Sequence, residues 1–219
     1  MATIGTQSPL LERIRSRYLS VSDKCWDLRL GVKTRRPYEC KELGFTNPEC
    51  HRYTPAEYGD LHKAMKRLDI RAGEDVFLDY GSGLGRAVFV AAMQPFRRAI
   101  GVELSPLLVR LADENLRRAG YSFSCKHIMF VASDARTFAL PDDVSHILLY
   151  SPFSGQVLRD VFTQLRRSLE RAPRDVTVVY KNPEAFEEWS MGLFEEYDAF
   201  KSPTGHRVCF YRHRSDVRR

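Results

Sequence analysis

Short apolar runs alternate with amphipathic stretches from residue 74 to the end of the chain. Apolar runs predict five buried strands, at 76–78, 99–104, 128–131, 147–150 and 176–180. Apolar residues at helical spacing predict three helices between them, at 84–93, 106–120 and 157–169. Because strands and helices alternate and the strands are apolar throughout, we expect a doubly wound, mostly parallel α/β sheet with helices on both faces.

The last part of the chain breaks this alternation. A short helix is predicted at 183–191, and two further strands follow at 194–200 and 208–211 with no helix between them. Strands joined by a short connection pair in antiparallel fashion. The sheet is therefore expected to have seven strands, with an antiparallel C-terminal pair at one edge.

The segment before residue 56 has a different pattern. Ser8-Pro9 predicts a helix start, and apolar positions at 10–19 fall on one helical stripe. Residues 20–56 are less regular, with a second helix start near Ser22, and another helix is predicted at 56–69. We therefore expect an N-terminal helical or irregular cover or lid at 1–55, one ligand-binding domain at 56–212 and a basic tail at 213–219.

The net charge of +6 is concentrated at the two ends of the 219-residue chain. Residues 1–36 hold eight Lys or Arg and three Asp or Glu, whereas residues 211–219 hold four and one. The residues between them hold 22 basic and 24 acidic side chains. We therefore expect no nucleic-acid groove in the core. The ends are expected to be solvated tails, or to form a basic arm that touches an acidic partner.

Cysteine usage and hydropathy limit the class of protein. Five scattered cysteines without a Cys-x-x-Cys pair predict neither a disulfide framework nor a zinc module, and Cys40, Cys50 and His51 lack a fourth metal ligand at suitable spacing. No apolar run approaches the roughly 20 residues of a membrane span. Residues 1–11 lack the features of a secretory signal. We expect a cytoplasmic globular protein with no metal and no membrane association.

A glycine-rich turn after the first strand carries the strongest chemical signal. It spans residues 79–86 and opens a helix, so backbone amides and the helix N-terminus can approach an anionic group. Arg86 stands where a dinucleotide fingerprint needs its third glycine, and no Gly-Lys-Ser/Thr of a phosphate loop follows. Asp79 would repel a diphosphate but suits an ammonium group. The turn therefore predicts S-adenosylmethionine, which carries an ammonium, a carboxylate and a sulfonium but no phosphate.

The ends of the second and third strands carry two more acids. Glu103, which lies 24 residues after Asp79, can accept hydrogen bonds from both hydroxyls of a ribose. Asp134 and Ala135 end the third strand, where a polar side chain and a backbone amide can read the edge of an adenine. All three segments lie at the carboxyl ends of predicted neighbouring strands, where ligands bind in open α/β sheets.

Residues 52–212 resemble a class I S-adenosylmethionine-dependent methyltransferase, because the glycine turn, Glu103, Asp134 and the final antiparallel pair occur in the order of that family. The resemblance implies a Rossmann-like fold, S-adenosylmethionine as methyl donor and S-adenosylhomocysteine as product. It also implies a set of cofactor-binding residues, which are Tyr53, Tyr58, Asp79, Gly81, Ser82, Gly83, Glu103, Leu104, Asp134, Ala135 and Ser151.

Two segments narrow the resemblance. Residues 52–60 are similar to the loop that covers the cofactor in histone-lysine methyltransferases lacking a SET domain. That similarity implies that Tyr53 and Tyr58 lie near the sulfonium of the cofactor, where an aromatic face is favourable. The alternative for both tyrosines is packing in the core.

The second segment is 150–153, where amine methyltransferases often carry Asn/Asp-Pro-Pro-Tyr/Phe. The resemblance implies that Tyr150, Pro152 and Phe153 line the acceptor side of the site. Ser151 takes the place of the Asn or Asp and offers a hydroxyl without the amide fork, which counts against lysine methylation.

Methyl transfer from a sulfonium is an in-line displacement that depends mainly on proximity and alignment. A general base is needed only where the nucleophile arrives protonated, and the sequence singles none out. His51 and Tyr53 are the candidate catalytic residues.

The expected function is methyl transfer to an O, N or C atom of a small molecule or natural product, because the chain has no further domain to hold a large substrate. Protein-lysine N-methylation is the alternative, with the basic ends docking an acidic surface. A third interpretation is a non-catalytic binding module that kept the pocket. Asp79 and Arg86 disfavour an oxidoreductase.

Overall fold

The computed structural model describes residues 9–183, 190 and 192–215, with side chains from residue 17 onward. The predicted helix at 183–191 falls mostly on residues outside this set. The described helices are α1 (Pro9–Leu30), α2 (Tyr58–Met65), α3 (Arg86–Ala92), α4 (Pro106–Arg118) and α5 (Gly155–Arg171). The described strands are β1 (Val76–Tyr80), β2 (Arg98–Glu103), β3 (His127–Ala132), β4 (His146–Leu149), β5 (Val176–Lys181), β6 (Glu195–Lys201) and β7 (Arg207–His213).

The seven strands form one sheet in the order β3-β2-β1-β4-β5-β7-β6. The first five in this order are parallel, and β7 pairs in antiparallel fashion with both β5 and β6. The predicted α/β class, the parallel centre and the antiparallel C-terminal pair are confirmed. The chain leaves β1 for β2 on one side and reaches β4 on the other, so β1 and β4 flank the topological switch point where open α/β sheets bind ligands.

The strand register decides which side chains share a face of the sheet. Phe77, Leu148 and Val179 belong to the core cluster that includes α2 and α3, whereas their neighbours along each strand belong to the cluster that includes α5. Side chains alternate between faces along a strand. Asp79, Tyr150 and Lys181 therefore lie on the face covered by α2 and α3, at the carboxyl ends of β1, β4 and β5.

The N-terminal segment differs from its prediction. No second helix starts near Ser22, because α1 continues without interruption to Leu30. Gly31, directly after it, has a φ of +77°. The inner side of α1 carries Asp23 and Asp27, which pair with buried groups, so that side lacks the continuous apolar pattern of a buried helix face. In the described part of the chain, α1 and the other helices are either too short or too polar to cross a membrane.

The second predicted helix is shorter than expected. It was predicted at 56–69, but α2 covers Tyr58–Met65. Beyond it the amides of Arg67 and Leu68 donate to carbonyls three residues earlier, which is the tighter spacing of a helix that is ending. Of the four residues that precede α2, Thr54 and Ala56 line the cavity described below, and Glu57 pairs with Lys181.

Candidate functional site

A cavity of about 200 Å³ opens at the carboxyl ends of β1, β2, β3 and β4. One water needs roughly 10–15 Å³ by the same measure, so the cavity is large enough for a ligand. Thirteen of the site residues predicted from the sequence line it, namely His51, Tyr53, Asp79, Gly81, Ser82, Glu103, Leu104, Asp134, Ala135, Tyr150, Ser151, Pro152 and Phe153. Two predicted residues, Tyr58 and Gly83, are not among its lining residues.

The glycine turn is held against β2 by its backbone. The amides of Gly81 and Ser82 both donate to the carbonyl of Val102, at 2.8 and 3.1 Å. Gly81 has a φ of +75°, and a side chain there would overlap Pro152 in the loop that follows β4. The Ser82 hydroxyl is buried beside the cavity and has no hydrogen-bond partner among the described residues. This hydroxyl lies against Gly101 of β2, so the turn encloses a polar atom that no described residue satisfies.

Asp79 is a buried acid without a counter-charge. Its residue is 3% exposed, and no described residue donates a hydrogen bond to its carboxylate or pairs with it. Burial, and then the nearby charge of Glu103, raise the pKa of Asp79 well above its ordinary value. A buried carboxylate in this state is stabilised by a cation, so the position favours a ligand with a positive group.

Glu103 is committed to the backbone around it. Its two carboxylate oxygens accept hydrogen bonds from the amides of Gly83 and Ser105, each at 2.9 Å. Burial raises the pKa of Glu103, although these amide bonds act in the opposite direction. Glu103 therefore fixes the glycine turn to the start of α4. A carboxylate oxygen accepts more than one hydrogen bond, so its predicted role toward a ribose stays a prediction.

The two predicted cofactor-binding tyrosines have different surroundings. The Tyr53 ring packs directly over Gly83 at the cavity wall, and its hydroxyl donates to the carbonyl of Thr34 at 2.9 Å. Burial raises the pKa of Tyr53, so its hydroxyl stays protonated and is a poor base. Tyr58 is fully buried, and its hydroxyl donates to Asp27 at 2.8 Å. Tyr58 thus lies in the core, which is the alternative stated for it above, and its predicted contact with the cofactor stays a prediction.

Arg86 joins the glycine turn to the N-terminal segment. It begins α3, is 2% exposed and also lines the cavity. Its guanidinium donates to Asp23 at 2.5 Å, to the hydroxyl of Thr34 at 2.8 Å and to the carbonyl of Ala56 at 2.7 Å. Its Nη2 atom is 3.9 Å from Asp27 and has no hydrogen bond among the described residues. This donor of the buried cation therefore lies in the core beside Asp27 and is not satisfied by a hydrogen bond.

Asp134 pairs with its neighbour two residues along the chain. Its carboxylate accepts from the amide of Arg136 at 2.9 Å and from the Arg136 guanidinium at 2.6–3.1 Å. The hydrogen bond to Arg136 is the main reason that the pKa of Asp134 is lowered. Asp134 lies at the cavity, but with this partner its predicted contact with an adenine stays a prediction.

The loop at 150–154, which we call the acceptor loop after its predicted role, is held by residues 49–53 of the N-terminal cover. We call residues 49–53 the cover segment. The amide of His51 donates to the carbonyl of Pro152 at 3.3 Å, and its ring Nδ1 donates to the carbonyl of Ser151 at 2.8 Å. Glu49 accepts from the amide of Val157 at 3.0 Å. Ser151 has a φ of +52°, and its hydroxyl donates to the carbonyl of Lys181 at 2.8 Å. The Ser151 hydroxyl, in the place of the expected Asn or Asp, is therefore engaged by the scaffold.

A buried polar cluster lies behind Tyr150. Lys181 Nζ donates to Glu57 at 2.8 Å and to the Tyr150 hydroxyl at 2.5 Å, and it lies 3.6 Å from Asp60. The Tyr150 hydroxyl also lies within hydrogen-bond distance of both carboxylates and can donate its single proton to one of them. Burial, followed by Glu57, raises the pKa of Asp60. Burial acts most strongly on Glu57 as well, but the Lys181 ammonium outweighs it together with the hydrogen bonds and lowers the pKa of Glu57.

The buried contacts of Arg86 and the polar cluster around Lys181 were not predicted from the sequence. For both residues the sequence holds a signal that could have indicated a buried partner. Arg86 is the one charged residue in an apolar helix, and Lys181 directly follows an apolar strand. A charge inside an apolar element needs a buried partner. The cover residues Leu43, Phe45 and Asn47, which also line the cavity, lie in irregular structure without such a signal. In the described parts of the chain, no group of three or more His, Cys, Asp or Glu is arranged to hold a metal ion.

The similarity of this protein to known proteins lies in its fold rather than in its sequence. No family model matches the sequence, and no curated protein is significantly similar to it. The RNA methyltransferase from Salinibacter ruber in complex with S-adenosyl-L-homocysteine is similar in structure, with a TM-score of 0.56, 22% identity and coverage of 75% of this chain and 97% of that one. The ribosomal protein L11 methylase from Lactobacillus delbrueckii subsp. bulgaricus is also similar, with a TM-score of 0.53, 14% identity and coverage of 71% of this chain and 78% of that one.

The pyocyanin biosynthetic protein PhzM is a third similar structure, with a TM-score of 0.53, 15% identity and coverage of 70% of this chain and 54% of that one. Identities this low carry information about the fold. Taken with the strand order and the antiparallel C-terminal pair, the likeness shows that this chain has the Rossmann-like fold of the class I S-adenosylmethionine-dependent methyltransferases.

Proposed function

We propose that this protein is a methyltransferase that uses S-adenosylmethionine as methyl donor. The observation that carries the proposal is the buried carboxylate of Asp79, which faces the cavity without a counter-charge among the described residues. The α-ammonium of the donor supplies that charge. The same carboxylate opposes a diphosphate, and so it opposes a dinucleotide in this turn.

Two more polar side chains of the cavity suit the same ligand. The methionine end of the donor carries a carboxylate beside its ammonium, and the buried cationic side chain of Arg86 lines the same cavity. The Ser82 hydroxyl is a further donor on the same wall. One acid and one guanidinium on a shared cavity match a zwitterion, which supports S-adenosylmethionine and its product S-adenosylhomocysteine as ligands.

When bound, the donor supplies a methyl group made electrophilic by its sulfonium. We assign the orientation of its methionine end to Asp79 and Arg86, and that of its nucleoside to Glu103, Leu104, Asp134 and Ala135. The closely packed ring of Tyr53 covers the buried Gly83, and low exposure around Asp79 strengthens its electrostatic contacts. His51 stays the candidate base, because its Nδ1–H is held by the Ser151 carbonyl and a neutral ring then keeps Nε2 as acceptor.

The acceptor in this proposal is a small molecule. Three contacts restrict access to the cavity on the acceptor side. They are the antiparallel backbone pairing of Cys50 with Phe153, the hydrogen bonds of His51 and the hydrogen bond between Glu49 and Val157. Together they close the cover segment onto the acceptor loop. A protein chain would have to displace this closure, whereas a small molecule fits beneath it.

Protein-lysine N-methylation is the second candidate. It is supported by the similarity of residues 52–60 to the loop that covers the cofactor in histone-lysine methyltransferases lacking a SET domain. We expect a methyl-labelled donor incubated with the protein to label a compound in a metabolite extract and to leave histones and lysate proteins unlabelled. Label in protein would replace the small-molecule assignment with this second candidate.

Asp79→Asn tests the donor site. We expect it to weaken S-adenosylmethionine binding about tenfold to a hundredfold in calorimetry, since a charge-assisted hydrogen bond is worth roughly 1.5–3 kcal/mol.

The pKa of Asp79 is raised in the folded state, so ionisation destabilises the ligand-free fold as the pH rises toward that pKa. The variant lacks this penalty, and its ligand-free melting temperature should exceed that of the wild type at neutral pH but not at about pH 4.

Asp143→Asn is the matched control, because Asp143 is an ion-paired acid that precedes β4 at the opposite end of the sheet. Its donor affinity should equal that of the wild type. Unchanged donor affinity in Asp79→Asn, or calorimetric binding of NAD without binding of S-adenosylmethionine, contradicts the proposed function.

A further inference from the structure

Helix α1 turns its acids inward. Asp27 is buried and accepts from Thr34 and Tyr58, and Asp23 pairs with Arg86. Trp26 lies toward the same side and packs on the ring of His62, with the centroids 4.1 Å apart. The negative charges of α1 in the described range 17–30 are thus used to attach the helix to the domain.

The outer side of α1 carries apolar residues. Tyr18, Val21 and Leu28 are 72%, 61% and 72% exposed, and Cys25 is also exposed. Their spacing of three, four and three residues places them in one row along the helix, which we call the α1 seam. This is the spacing of the apolar positions in a coiled coil. In the sequence the same spacing continues at Leu11 and Ile14.

Basic residues border the α1 seam on both sides. In the heptad numbering that the α1 seam defines, Arg17 and Lys24 take one flanking position, and Ser22 and Arg29 take the other. Arg17, Lys24 and Arg29 are exposed. With both acids of this range turned inward, the outward face of α1 is apolar at its centre and positively charged at its edges.

We propose that the α1 seam binds an amphipathic helix of another protein, with apolar residues at heptad spacing and Asp or Glu at the flanking positions. In paired helices the flanking residues choose the partner through their charges. A second copy of this chain would bring basic edges against basic edges. An acidic helix instead pairs every flanking Lys and Arg while covering the apolar row.

The shape of the surface favours a helix over a membrane. A helix that lies on a lipid surface presents a broad apolar face with aromatic residues such as Trp directed into it. The α1 seam is one residue wide, and Trp26 points to the protein interior. A narrow row bordered by charges is the geometry into which a single partner helix packs.

The test uses two fluorescently labelled synthetic peptides of about three heptads, with Leu at the apolar positions and either Glu or Lys at the flanking positions. Anisotropy is measured with the full-length protein at two salt concentrations. We expect the Glu peptide to bind at least about tenfold more tightly than the Lys peptide, with the difference shrinking at high salt. Equal binding of both peptides, or no binding of the Glu peptide, overturns the proposal.

Two variants locate the contact. Tyr18→Ala/Val21→Ala/Leu28→Ala keeps strong helix formers and should weaken the Glu peptide at least about tenfold. Arg17→Glu/Lys24→Glu should reverse the preference between the peptides. Near-UV circular dichroism and the unfolding midpoint show that each variant is folded, without reliance on the methyltransferase proposal. Unchanged Glu-peptide affinity in the folded alanine variant overturns the proposal.

The two other occupants give distinct results. Sedimentation of the protein with phosphatidylserine vesicles, in a preparation that binds neither peptide, overturns the proposal in favour of a membrane. Concentration-dependent dimers in analytical ultracentrifugation that disappear in the alanine variant overturn it in favour of a second copy.

Discussion

Gly83→Val is expected to abolish detectable S-adenosylmethionine binding, with a loss of affinity of at least about a hundredfold, or ~2.7 kcal/mol. Gly83 has a φ of +53°, where a β-branched residue is strained. Its Cβ would also overlap the Tyr53 ring, which is fixed by the hydrogen bond to Thr34. Because the turn must move to relieve this overlap, the hydrogen bond from the Gly83 amide to Glu103 is disturbed as well. Calorimetry with S-adenosylmethionine measures the effect.

Gly73→Val is the matched control. Gly73 has a φ of +74°, so valine is strained there too, but a Cβ at this position meets no atom within 4 Å. This variant should lose stability to a similar strain and keep its donor affinity. If Gly83→Val keeps donor affinity as Gly73→Val does, the glycine turn is not the donor site.

Arg86→Met should lower the free energy of unfolding by about 3–5 kcal/mol, since removing one partner of a buried ion pair leaves the other charge without compensation. Arg86 holds Asp23, Thr34 and the carbonyl of Ala56, so the loss detaches α1 and the segment before α2 from the turn. Urea unfolding followed by circular dichroism measures it. The cost in the background of Asp23→Asn should be smaller, because the two residues are coupled.

Arg97→Met supplies the comparison for this effect. Arg97 also pairs with an aspartate, Asp143, but both side chains are substantially exposed. Exposed pairs contribute about 0–1 kcal/mol. A cost for Arg86→Met no larger than that for Arg97→Met would show that Arg86 does not hold the N-terminal helix to the domain.

The fold was predictable because its elements carry local signals. The five parallel strands are apolar runs, and Ser105-Pro106 marks the start of α4, where the Ser105 hydroxyl accepts from the Leu108 amide. The glycine turn was predictable for the same reason, since positive φ angles at Gly81 and Gly83 need glycine. Because the turn directly follows a strand, its position in the sequence also predicts that Asp79 lies at the switch point.

The missed features depend on contacts between residues far apart in the sequence. The unbroken path of α1 past Ser22 follows from the pairing of Asp23 with a residue 63 positions later. Tyr58 was expected beside the cofactor because it shares a segment with Tyr53, but its partner is Asp27, 31 positions earlier. The cluster of Glu57, Asp60 and Lys181 spans 124 positions. No local pattern encodes such partners, although a lone charge in an apolar element shows that one exists.

The position of β7 has a consequence for synthesis on the ribosome. β7 lies between β5 and β6, although it follows both in the sequence. Until Arg207–His213 has emerged, one edge of β5 is unpaired, and the residues of this strand are mostly ones that the folded protein buries. Among the described strands, β6 then has none to pair with. Open apolar edges recruit strands from other chains. The nascent protein therefore becomes protected from aggregation along this edge only when its β7 segment takes its place inside the sheet.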